Sequence, residues 1–96
     1  MAPDFDWNED KNQLLVEQRG ISFERVISAI ERGGLVDVLE HPDQERYEGQ
    51  MIYVVDIEQY IYLVPFVTRS DGSPRFLKTI IPSRKATRNY RKRRSS

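Results

Sequence analysis

Ninety-six residues, 39% of them hydrophobic and 10% aromatic, suffice for one domain with one modest core and are too apolar for a disordered chain. The absence of cysteine excludes disulfides and thiolate metal sites, and no run of about 18 apolar residues exists to cross a membrane as a helix. A formal charge of zero conceals a split: nine bases and no acid follow Pro74, while fifteen acids face six bases before Arg75, so the two parts carry +9 and −9.

The start of the chain is acidic and mixed. Met-Ala-Pro-Asp-Phe-Asp has neither the basic nor the apolar part of a signal peptide, and a cytoplasmic protein is expected. Phe5-Asp6-Trp7 alternates apolar and polar, as a short strand or an extended arm does. Asn8 is a helix cap, Glu9 and Asp10 suit the positive end of the helix dipole, and Gly20 is a natural stop. A helix over Glu9–Arg19 follows, with Lys11, Leu14, Leu15 and Gln18 on one face. Ser22 caps a second helix, in which Phe23, Val26, Ile27 and Ile30 recur at i, i+3, i+4, i+7, and Gly33-Gly34 ends it.

After Gly34 the period changes to that of strands. Leu35–Leu39 is a strand, His41-Pro42-Asp43 opens a polar loop, and Met51–Ile57 is rich in β-branched and aromatic residues. Glu58-Gln59 is a tight turn. Tyr60–Thr68 is apolar on both faces, with Tyr60 and Tyr62 read as core beside Val64 and Phe66. Pro65 conflicts with a central strand because it cannot donate to a ladder, so a bulge there or an edge on that side is expected. Ser70-Asp71-Gly72-Ser73 is a turn, Phe76–Ile81 is a fourth strand, and Ser83 is placed to cap a final basic helix. The expected fold is α+β: a small antiparallel four-stranded meander, two N-terminal helices, all helices on one face, a basic C-terminal helix, one domain over residues 1–90 and a frayed basic tail over 91–96.

Four segments together resemble the BrnT family of bacterial type II toxins: Phe5-Asp6-Trp7-Asn8 with Lys11; Gly20-Ile21-Ser22-Phe23-Glu24; Glu40-His41-Pro42-Asp43 with Arg46; and Ile81-Pro82-Ser83-Arg84-Lys85-Ala86-Thr87. The likeness spans roughly Phe5 to Tyr90. It departs where members carry Ala in place of Ser83, and Glu and Arg near Asn89-Tyr90. The resemblance implies a RelE-like fold, endoribonuclease activity that arrests translation, a cognate antitoxin as partner, and operator DNA met through the antitoxin complex.

RNA is cleaved when its 2′-hydroxyl attacks the adjacent phosphate. That step needs a base, a group to stabilise phosphate charge and an acid for the leaving oxygen, and requires no metal. Arg84 and Lys85 are the first candidates for phosphate contact, since Arg donates two bonds from a planar fork and Lys supplies a point charge. Surface solvation or antitoxin contacts are the alternative. Arg46 and Lys11 come second, either toward RNA or toward nearby acids. His41 is the one side chain that titrates near neutrality unaided, and is read as a general base or as a turn residue. Arg75, Lys78, Arg88, Arg91 and Lys92 supply further cations for RNA, and Tyr90 an aromatic ring for stacking. No motif for a metal, a cofactor, a phosphate loop or paired carboxylates is present.

Overall fold

The computed structural model describes residues 4–68 and 73–95. Ser70 to Gly72 of the turn read from the sequence lie outside the described residues. The chain forms β1 (Phe5–Trp7), α1 (Glu9–Arg19), α2 (Phe23–Ala29), a wide π-turn (Ile30–Gly34), β2 (Leu35–Glu40), β3 (Gln50–Ile57), β4 (Tyr60–Val67), β5 (Arg75–Leu77), β6 (Ile81–Pro82) and α3 (Arg84–Ser95). Asn8 caps α1 by accepting the Lys11 N–H at 2.9 Å, and Ser22 caps α2 by accepting the Arg25 N–H at 3.1 Å. Gly20 stops α1 in the left-handed conformation that glycine adopts without cost.

The sheet is mixed and six-stranded, not a four-stranded antiparallel meander. Its order is β1-β5-β4-β3-β2, with β6 also on β4. The opening arm is a strand parallel to β5, with Phe5 opposite Arg75 and Trp7 opposite Leu77. What holds it is aromatic burial: Trp7 stacks on Phe23 with ring centroids 5.7 Å apart, and Phe5 meets Tyr53 edge-on at 6.2 Å. β3 and β4 form a hairpin through Glu58 and Gln59, both at positive φ, the two-residue turn whose twist matches the strands.

Pro65 explains why the expected strand over Phe76–Ile81 is two strands. The Pro65 carbonyl accepts the Lys78 N–H at 2.8 Å, so the missing proline N–H faces the same neighbour. Pairing with β4 breaks there. It runs through Leu77 in β5, then resumes at Ile81 in β6 in a register shifted by one residue. The irregularity expected at the proline falls in its partner strand.

One face of the sheet packs α1 and α2. Leu15, Phe23, Val26 and Ile27 meet Tyr53, Val55, Val64, Phe66 and Leu77 in a single buried cluster. Tyr62 packs against this cluster half-buried, while half-buried Tyr60 lies outside it with its ring edge-on to Tyr62 at 5.5 Å. Gly34 closes the turn into β2 because a Cβ there would sit 2.7 Å from the Asp56 carbonyl oxygen and 2.8 Å from that of Ala29. In α1 the buried residues are Asn12 and Leu15, whereas Leu14 is exposed, so the inward face differs from the one expected. The reason is Asn12: its side-chain carbonyl accepts the Phe23 N–H at 2.8 Å and its amide donates to Glu24 at 2.7 Å, tying α1 to the start of α2.

α3 lies on the other face, not beside α1 and α2. Cross-strand register puts Asp37, Val54 and Leu63 in one row on the side opposite Val55, and the α3 residue Tyr90 donates to Asp37 there. Val54, fully buried yet outside the α1–α2 cluster, lies on this side. The helix runs through Ser95, across the stretch read as a tail. Among the described residues no helix is long and apolar enough to cross a membrane.

Candidate nucleic-acid interface

The segment Ile81-Pro82-Ser83-Arg84-Lys85-Ala86-Thr87 divides its labour by side. The Ser83 N–H donates to the Ile61 carbonyl at 3.0 Å, the last ladder-like bond before the chain turns into α3. The Ser83 hydroxyl then caps the helix by accepting the Ala86 N–H at 3.1 Å. Thr87, buried one turn on, accepts the Ile61 N–H at 2.9 Å and donates to the Ser83 carbonyl at 2.7 Å. Its hydroxyl thus replaces the strand residue that the turn removes, and Ile61 keeps both backbone partners. Ser83 and Thr87 build the junction. Arg84 and Lys85, between them, are exposed.

That phase continues along α3. Ala86, Thr87 and Tyr90 face the sheet, as spacings of three and four residues require, and Arg84, Lys85, Arg88 and Arg91 stand on the exposed side. No acid occurs on α3. Tyr90 is half-buried and its hydroxyl donates to Asp37 Oδ2 at 3.2 Å, so the ring expected to stack on a base is a tether between helix and edge strand. The Lys92 side chain lies outside the described residues.

The other candidate cations are placed elsewhere. Arg75 lies in β5 with its guanidinium 5.8 Å from the centre of the Phe5 ring, an arrangement that fastens the opening strand. Burial raises the Tyr53 hydroxyl above its ordinary pKa, and the positive charge of Arg75 partly opposes that shift. Lys78 is exposed at the break between β5 and β6.

His41 and Arg46 belong to the turn between β2 and β3. His41 Nδ1 accepts the Asp43 N–H at 3.1 Å and its ring lies on Tyr47 with centroids 4.2 Å apart. Asp43 accepts the Arg46 N–H at 3.2 Å, and Gln44 bridges the carbonyls of His41 and Gln50. The His41 N–H donates to Gln50, which pairs with Val67, while Ser83 bonds to Ile61. Six residues of β4 separate those two levels, or about 20 Å at the rise of a strand. The structure therefore does not bring His41 and Arg46 to Arg84 and Lys85. Lys11 is half-buried in the first turn of α1.

Sequence reading overlooked Asn12, Gln44 and Arg19, whose guanidinium donates to the Ile80 carbonyl. A polar residue three before a buried leucine was the available sign for Asn12; nothing local marks the other two. Among the described residues, no three or more His, Asp or Glu side chains are grouped to hold a metal ion. Comparison with known protein families, with curated proteins and with solved structures returned no match for the chain.

Proposed function

We propose that this protein is an RNA-directed toxin of the BrnT kind, gripping RNA phosphates with the outer face of α3 and cleaving RNA without a metal ion until a cognate antitoxin covers that face. The observation that carries the reading is the division within the Ser83–Thr87 segment. Its hydroxyls are spent on the fold, and its cations are held outward on a helix whose exposed side over Arg84–Arg91 has no acid. Four cations there attract phosphate at long range, and the −9 body discourages contact elsewhere. The cytoplasm is where such a toxin meets RNA, and operator DNA enters through the antitoxin complex.

The separation of about 20 Å along β4 between the levels of Ser83 and the His41 turn favours a second reading, a binding subunit without catalysis. Total RNA integrity after brief induction in bacteria separates the two. Breakdown with the parent chain and not with the Arg84→Ala, Lys85→Ala double variant, folded by circular dichroism, is the expected result. Intact RNA in growing cells removes the catalytic reading and leaves the binding one.

A further inference from the structure

The way in which α3 meets RNA follows from where the aromatic residues are. Proteins that take single strands stack bases on exposed rings beside a basic groove. All ten Phe, Tyr and Trp residues of this chain are described, and only Tyr47 is exposed. Its ring lies against His41 in the turn between β2 and β3, at the opposite end of the sheet from the start of α3. Tyr60 and Tyr62 lie on the α1–α2 side. Tyr90, the single aromatic residue of α3, turns inward to Asp37. The exposed side of α3 over Arg84–Arg91 then carries cations and Asn89 and no aromatic ring: Arg84, Arg88 and Arg91 recur at i, i+4, i+7 over about 10 Å of helix, with Lys85 beside them.

Resting on the RNA-binding reading above, we infer that α3 takes RNA by its phosphates and not by its bases, and that double-stranded RNA is its better ligand. A duplex presents its charges at higher linear density than a single strand, and a ridge of cations profits from density in a way that a stacking platform does not. It also keeps its bases paired, which costs nothing when no ring is there to receive them. Choice of a cleavage position, on this account, comes from the shape or the accessibility of the RNA and not from a base pocket on α3.

The test uses the full chain and three probes of roughly 20 nucleotides: 2′-O-methyl oligo(A), 2′-O-methyl oligo(U) and their duplex, the methyl groups preventing cleavage during titration. Affinities are measured at several salt concentrations for the parent and for Arg88→Ala. The duplex is expected to bind more tightly than either strand, with the two strands within about threefold of each other. Arg88→Ala is expected to reduce the salt slope by about 0.9 on the duplex and about 0.7 on single strands. A single strand bound about tenfold more tightly than the duplex, or a tenfold difference between A and U, overturns the inference while leaving RNA binding intact; that is the effect of one stacked base. No binding to any probe overturns the RNA-binding reading and this inference with it.

Discussion

The two faces of the sheet are covered in different ways. On one, α1 and α2 are held by interdigitating apolar side chains, with Phe23 and Val26 fully buried against Val55, Val64 and Leu77. On the other, α3 is fixed by hydroxyls: Thr87 at its first turn and Tyr90 toward its middle. An apolar interface derives its strength from area removed from water and is indifferent to direction. A polar one contributes less net energy but sets position, because each bond has a geometry. A basic helix has few apolar side chains to bury. Polar fastening lets it lie on the domain with its cations turned outward.

The largest test of this contrast is Phe23→Ala. Emptying the centre of the apolar face is expected to cost about 3–5 kcal/mol, a large part of the stability of a domain this size, visible in urea or thermal unfolding. Thr87→Val keeps the shape but removes the partner of the buried Ile61 N–H. It is expected to cost about 1–3 kcal/mol, with faster amide exchange in α3 than in α2. Equal acceleration in both helices would show that the two faces unfold as one unit. Tyr90→Phe is expected to cost less, about 0.5–1.5 kcal/mol. If Tyr90 aims the basic face, this variant weakens nucleic-acid binding more than it lowers the melting temperature.

The smallest effect is a pH dependence. Burial holds the Tyr53 hydroxyl above its ordinary pKa of 10.0 in the folded state. Over the interval above the unfolded value, the unfolded chain loses this proton while the folded chain keeps it. Stability is therefore unaffected by this group below about pH 10 and falls as pH rises through the folded value. Tyr53→Phe keeps the stack on Phe66, with centroids 3.9 Å apart, and is expected to flatten that part of the stability curve. An unchanged alkaline limb would assign the loss to other groups.

Much of the fold was legible because its signals are local. Caps at Asn8 and Ser22, the stop at Gly20, the turn at Glu58-Gln59 and the α2 stripe each depend on a few neighbouring residues, and the structure has them all. The exposed cations of α3 were legible as composition, and Arg84 and Lys85 as part of a motif. Tyr90 was read from its basic neighbours in sequence, whereas the Asp37 carboxylate that its hydroxyl reaches is a neighbour only in space. His41 stood out as the one histidine of the chain, yet sequence cannot show that its Nδ1 accepts the Asp43 N–H within its own turn.

By itself, then, the sequence determined the start and stop of α1, the start of α2, the β3–β4 hairpin turn and the charge divide, since these follow from backbone conformation and side-chain chemistry over a few residues. The tertiary structure alone decided that a three-residue arm would close the sheet in parallel with β5, that Pro65 would break the strand beside it, and that α3 would lie opposite the other helices. Those outcomes depend on contacts between residues tens of positions apart, where shape and unmet backbone bonds, not local pattern, choose the partner.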